Sequence, residues 1–238
     1  MAVISFTSHG LTEIGLIRDR NEDAFLDRPE IGLWVVADGM GGHTRGDYAS
    51  GRIVGDLATM RRPPDLEDFL DEVKKRLSIV DFELRKLAPR VGPDAVIGST
   101  VVALLAYDDA FVTVWAGDSR LYQLRSGEFR QVTTDHSRTQ ELIAAGVLAP
   151  EAARLHPDAP VITQAIGAGR QAVSTRAGTI RAGDRFLLCS DGLTNMVTDA
   201  EIAAELDAPP QAAAERLRDL VMARGAVDNF TILIVAAE

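Results

Sequence analysis

Short apolar or alternating runs constrain this chain more than any other feature: LWVVA (33–37), STVVALLAY (99–107), FVTVWA (111–116), RLYQL (120–124), FRQVT (129–133), RFLLCS (185–190) and FTILIVAA (230–237). Their length and their β-branched and aromatic content predict strands. Turn sequences such as YDDA, RSGE and RAGD sit between or before them. Links this short favour hairpins and antiparallel pairing, because a parallel crossover needs a dozen or more residues. Helical patterns fall between the strand groups. Leu66, Leu70, Val73, Leu77, Val80, Leu84 and Leu87 alternate steps of three and four, which predicts a long amphipathic helix behind RRPPD, with Pro64 and Asp65 punctuating its start. A second helix is expected over about 47–60, and a pair over about 199–224 interrupted by Pro209 and Pro210. The order fits an α+β chain in which layers of mainly antiparallel sheet carry helices on the outside.

With 238 residues, 46% of them hydrophobic, the chain can bury a substantial core. No internal repeat, low-complexity tract or linker divides it, so one domain over 1–238 is expected. No apolar run reaches the length of a membrane span, and MAVISFTSHG lacks the basic start and long apolar stretch of a signal peptide. A cytoplasmic protein, monomeric and without a membrane partner, is the expectation. The lone cysteine, Cys189, lies in the apolar RFLLCSDG, where a buried small hydrophobe is a better reading than a nucleophile. A formal charge of −10 argues against a non-specific nucleic-acid or membrane-surface binder. It suits carboxylates gathered around cations.

Four acids stand out against this frame. Asp38 follows LWVVA, Asp118 follows FVTVWAG, Asp191 follows FLLCS, and Asp228 precedes NFTILIV. Taken singly, each reads as a turn residue, since Asp-Gly and Gly-Asp end strands in many proteins. Taken together, they sit at strand ends that packed sheets can bring to one rim. Anions brought so close repel and raise one another's pKa values unless cations compensate. Oxygen-only ligands select hard ions such as Mg²⁺ or Mn²⁺ over zinc.

The segments GLIRDRNED (15–23), ADGMGGH (37–43), GST (98–100), AGDSRLY (116–122), TTDHS (133–137), CSDGL (189–193) and DNFT (228–231) occur in that order. Each is a weak signal, but the ordered set is specific and spans nearly the whole chain. It resembles the bacterial metal-dependent protein phosphatases of the PP2C (PPM) family, with a flavour of those encoded with type VI secretion clusters. The resemblance implies a four-layer α-β-β-α sandwich of two packed, mainly antiparallel sheets. It also implies hydrolysis of phosphoserine and phosphothreonine in proteins, by in-line attack of a hydroxide bridging two metal ions, in opposition to a Ser/Thr kinase. A catalytically weak phosphoprotein-binding domain of the same fold is the alternative, although it should have lost at least one of Asp38, Asp191 and Asp228.

By the same resemblance, Asp38 bridges two Mn²⁺ or Mg²⁺ ions. Asp191 and Asp228 complete one, and the carbonyl of Gly39 with waters completes the other. Asp118, sharing Asp191, is the ligand of a third, weaker ion. Glu22 and Asp23 hold metal-bound waters, and Arg18 clamps the substrate phosphate, with Arg20 a nearby competitor. The segment 138–164 resembles a mobile flap, in which His156 matches a histidine proposed to assist near the third ion; a helix-ending His-Pro is the other reading of that residue. Met40 stands where eukaryotic relatives carry a candidate proton-donating histidine, and His43 is close by. Pro160 and Gln164 depart from the flap residues of many bacterial members.

Overall fold

The computed structural model describes residues 4–41, 45–169 and 173–238. In chain order these form β1 (Phe6–Glu13), β2 (Asp23–Arg28), β3 (Leu33–Met40), α1 (Gly46–Leu57), α2 (Leu66–Val91), β4 (Gly98–Ser99), β5 (Val101–Tyr107), β6 (Ala110–Ala116), β7 (Arg120–Arg125) and β8 (Glu128–Gln131). Then come α3 (Arg138–Ala144), a 3₁₀ segment (Pro150–Leu155), β9 (Gln164–Ala165), β10 (Ala168–Gly169), β11 (Ser174–Thr179), β12 (Arg185–Cys189), α4 (Asp191–Thr194), α5 (Asp199–Glu205), α6 (Pro210–Ala223) and β13 (Phe230–Ala237).

The alternation of side chains along the strands produces the layers. In β3, Leu33, Val35 and Ala37 face one way and pack with Ile53 and Leu57 of α1 and Phe69, Val73, Leu77 and Leu84 of α2. Trp34 and Val36 face the other way and meet Leu121, Phe186, Leu188, Leu233 and Val235 of the opposite sheet. That sheet repeats the pattern: Tyr122, Leu187, Cys189, Ile232 and Ile234 turn outward onto Ile202, Leu217 and Val221. Both sheets are therefore apolar on both faces, which is why their central strands read as continuous hydrophobic runs. Each fully buried Leu or Phe between them contributes roughly 1.5–3 kcal/mol. One sheet has the order β1-β13-β12-β7-β8 and the other β11-β6-β5-β3-β2, with β4 added beside β3. All of these pairings are antiparallel.

Helix boundaries follow local chemistry. Asp65 caps α2 by accepting from the Asp68 N–H, and α2 runs to Val91, one turn beyond the expected stripe. Pro210 opens α6 at a position where a missing N–H costs nothing, and Thr198 with Glu201 forms a capping box at α5. Differences from expectation are local. STVVALLAY is broken at Thr100, and the strands β1, β2, β9, β10 and β11, together with α3 and α4, have no counterpart among the expected elements. Within 138–164, the ends of the segment are drawn together: Arg138 N–H donates to Val161 O at 2.9 Å and Thr163 N–H to His136 O at 2.8 Å. Pro160 lies just before that closure, and Gln164 opens the β9–β10 hairpin with its buried Oε1 unpartnered.

Candidate active site

The two sheets each deliver carboxylates to the same rim. Asp38 does not follow β3, as expected, but stands inside it, directly opposite Asp23 of β2. The strand continues because Gly39 and Met40 find partners in Ser99 and Gly98 of β4. Asp38 itself is fixed at both backbone atoms: its N–H donates to Thr100 Oγ1 at 3.1 Å, and its carbonyl accepts from the Thr100 N–H at 2.8 Å and Ser99 Oγ at 2.9 Å. Asp118 lies in the turn after β6. Gly117 precedes it with φ +106°, and a Cβ there would sit 2.6 Å from Thr100 Cγ2. His136 secures the turn, since the Gly117 N–H donates to its Nδ1 at 3.2 Å and the His136 N–H donates to Gly117 O at 2.9 Å. From the other sheet, Asp191 is the first residue of α4, separated from β12 by Ser190, and Asp228 stands two residues before β13.

The electrostatics record how poorly this arrangement is balanced. The Asp38 carboxyl is held well above the usual carboxylate range, by burial first and then by Asp23, Asp191, Asp118 and Asp228. Burial, Asp191 and Asp135 push Asp118 up to about 7. Asp191 is raised by burial and Asp228, with hydrogen bonds to Asn195 and Asp38 pulling the other way. Burial raises Asp23 to about 6, although its Oδ2 accepts from Ser190 Oγ and Thr231 Oγ1, both at 2.7 Å. These two bonds join β2 to the opposite sheet directly beneath the acids.

The donor set fits divalent cations. Asp118 Oδ1 and Asp23 Oδ1 are buried without a hydrogen-bond partner, so polar atoms that ordinarily find one are left over. Gly39 allows no side chain, because a Cβ would lie 2.1 Å from Gly46 O and 2.6 Å from Glu22 O, so the backbone beside Asp38 is pressed against the start of α1 and the chain at Glu22. All side-chain donors are oxygens, which suits hard ions. Among the described residues no three His, Cys, Asp or Glu side chains enclose an ion unaided, and backbone carbonyl and water would have to complete the shells.

Arg18 projects from the loop between β1 and β2 and reaches the group, its Nη2 lying 2.6 Å from Asp228 Oδ2 with its side chain 53% exposed. That bond, more than any other influence, raises its pKa. Arg20 is exposed and makes no ion pair among the described residues. Glu22 Oε1 accepts from the Gly46 N–H at 3.1 Å, favourably placed at the positive end of α1, and its carbonyl accepts from Gly39 N–H and Ser50 Oγ. His156 is not brought to the acids. Its Nδ1 accepts from the Asp158 N–H at 3.1 Å within its own turn, in keeping with the helix-ending reading. His43 lies outside the described residues.

Sequence reasoning passed over the hydroxyls. Thr100, Ser119, Ser190 and Thr231 are all buried, and Thr100 Oγ1 and Ser119 Oγ stand 2.6 Å apart, linking the backbone of Asp38 to the segment of Asp118. The signal was present: a serine adjoins Asp118 and another adjoins Asp191 in the chain.

Comparison with known proteins identifies the family. Residues 18–222 match the family Protein phosphatase 2C. The chain is 34% identical over 237 residues to the protein phosphatase PhpP of Streptococcus pneumoniae, covering 95% of each. It superposes on the structure of PppA, a key regulatory component of T6SS in Pseudomonas aeruginosa, with a TM-score of 0.92 and 39% identity, covering 99% of each chain. The catalytic domain of the serine/threonine protein phosphatase PstP, in complex with 2 manganese ions, aligns with a TM-score of 0.85 and 32% identity, covering 98% of this chain and 99% of that one. The family match spans Asp38, Asp118 and Asp191, and the chain belongs to the Protein phosphatase 2C family.

Proposed function

We propose that this chain hydrolyses phosphoserine and phosphothreonine in proteins with the help of divalent cations held at the acidic rim. The observation that carries the reading is the convergence of Asp38, Asp118, Asp191 and Asp228 from two sheets, against which Arg18 is the ion-paired base. Asp38, Asp191 and Asp228, with the Gly39 carbonyl, are assigned to two Mn²⁺ or Mg²⁺ ions, and Asp118 with Asp191 to a third. Bound there, such ions lower the pKa of water and neutralise charge on a transferring phosphoryl group.

The protein's own groups do the rest. Two sheets packed through a full apolar core hold the carboxylates rigidly, as differential stabilisation of a transition state requires. Arg18 presents a planar fork able to donate two hydrogen bonds to phosphoryl oxygens, and its exposure leaves it free to meet a substrate. Glu22 and Asp23 are assigned to orient bound water through oxygens that their structural bonds leave over, notably the unpartnered Oδ1 of Asp23. His156, tied within its own turn, is assigned a structural role rather than proton transfer.

The physiological substrates are then proteins phosphorylated by an opposing Ser/Thr kinase in the cytoplasm, the chain acting as a monomer. The likeness to PppA supports a place in type VI secretion control. Hydrolysis of an aryl phosphate and a phosphothreonine peptide, with chelator and with Mn²⁺ or Mg²⁺ restored, tests the reading. Turnover is expected to vanish with chelator and to return with either ion. Undiminished turnover in protein shown to be metal-free would overturn it.

A further inference from the structure

We propose that Asn229 is the positioning residue for Arg18, a role that rests on reading Arg18 as the phosphate clamp. Arg18 sits on an exposed loop where its neighbours Leu16 and Ile17 are 58% and 68% exposed, so the loop has almost no packing of its own to fix it. Its placement must come from its ends.

Asn229 grips both ends. Its amide Nδ2 donates to Ile14 O and to Arg20 O, each at 2.8 Å, and its Oδ1 accepts from the Glu22 N–H at 2.9 Å. The side chain is 7% exposed, and both amide hydrogens and the amide oxygen are used. Only an amide of this length supplies two donors and an acceptor here: aspartate would set an oxygen against two carbonyl oxygens, and alanine would leave those carbonyls unpaired. The same stretch of chain adds two backbone ties. The Leu16 N–H donates to Ala226 O at 2.8 Å, and Gly15, at φ +77°, lies so close that a Cβ would be 2.4 Å from Asp228 O. The loop thus hangs from the segment that carries Asp228, the carboxylate Arg18 contacts. Clamp and metal-ligating carboxylate are placed by one anchor, so the phosphate-binding group keeps its register with the acids.

A double-mutant cycle tests this, with kcat and KM measured on a phosphothreonine peptide at saturating Mn²⁺ for the wild type, Arg18→Ala, Asn229→Ala and the double variant. Asn229→Ala is expected to lower kcat/KM about tenfold or more when Arg18 is present, chiefly through KM, and less than about twofold when Arg18 is already alanine. An equal loss in both backgrounds would show that Asn229 acts elsewhere and would overturn the proposal. If Arg18→Ala alone leaves kcat/KM unchanged, the clamp reading itself is wrong. Asn229→Asp provides a second cycle: it keeps the acceptor for Glu22 but replaces both donors by an oxygen facing two carbonyls, so it should lower kcat/KM at least as much as Asn229→Ala, and again far less when Arg18 is already alanine. Failure of both Asn229 variants to fold, judged by circular dichroism and cooperative melting, would make the amide a requirement of folding and refute the positioning role.

Discussion

The two ends of β12 carry carboxylates under opposite conditions. Asp184, just before the strand, is 1% exposed and has its charge answered: it accepts from Arg125 Nε at 2.7 Å and Nη2 at 2.5 Å, from Gln123 Nε2 at 3.1 Å and from the Arg181 N–H at 2.9 Å. Asp191, just beyond the other end, has the Asn195 amide but stands among Asp38, Asp118 and Asp228, and its proton affinity is raised. A charge whose role is structural is cancelled on the spot, whereas at the rim Asp228 has Arg18 and the others are left largely against one another. The rim therefore stores electrostatic free energy that a bound cation or a proton releases, which is the usual mark of a functional site.

The largest effects should come from removing one acid from each end. Asp38→Asn keeps the shape and removes one negative charge from the crowded rim, so kcat/KM should fall at least about a thousandfold, on the order of 4 kcal/mol, while the metal-free protein loses no stability. Asp184→Ala should do the reverse. It strands Arg125 beside a buried hole, so unfolding stability should drop by about 3 kcal/mol while kcat per folded molecule stays as it was. Urea titrations in chelator and steady-state kinetics with Mn²⁺ separate the two, and loss of catalysis in Asp184→Ala with stability intact would erase the contrast.

The contrast also explains how much the sequence revealed. Central strands were legible because they are buried on both faces: VVALLAY of β5 and FTILIVAA of β13 have no polar alternation to hide them. Apart from the two-residue pair β9–β10, the strands that escaped, β1, β2 and β11, are all edges of the large sheets, and FTSHGLTE, DAFLDR and STRAGT show it in their polar, half-exposed residues. In the candidate site, the acids were legible by type and by place in the chain. Their partners were not, because the Asp23–Thr231 bond spans 208 positions and the Asn229–Ile14 bond 215. Periodicity reports a residue's own element, and it carries nothing about which distant element lies opposite. His156 was ambiguous for a related reason: a histidine before proline has the same local signature whether its ring faces a site or its own turn.

Arg18 and Arg20 offer a finer version of the same comparison, two arginines two positions apart with only one in contact with the acids. Arg18→Ala should cost about 2 to 3 kcal/mol in kcat/KM, the range of a hydrogen bond to a charged group. Arg20→Ala should cost about half a kcal/mol or less, as an exposed side chain with no ion-pair partner among the described residues. Measured kcat/KM for both variants decides, and the reverse ranking would move the clamp to Arg20.

The comparison most diagnostic of stored charge concerns Asp118 in metal-free protein. Its pKa rises from an ordinary 3.8 to about 7 in the folded chain. Between those values the folded chain holds a proton that the unfolded chain has released. Stability therefore falls as pH rises through that window, in the direction that linkage requires for a raised carboxyl. Asparagine has no proton to lose, so Asp118→Asn should remove this part of the slope. At pH 8 in chelator the variant should be more stable than the wild type by about 1 to 2 kcal/mol. Near pH 4 the gap should close, since both side chains are then largely uncharged. Adding Mn²⁺ at pH 8 should stabilise the wild type more than the variant, because the cation answers a charge that only the wild type carries. Urea midpoints at the two pH values, with and without metal, provide the test. A variant less stable than the wild type at pH 8 in chelator would mean that Asp118 is already balanced, as Asp184 is, and that the rim stores nothing at that position.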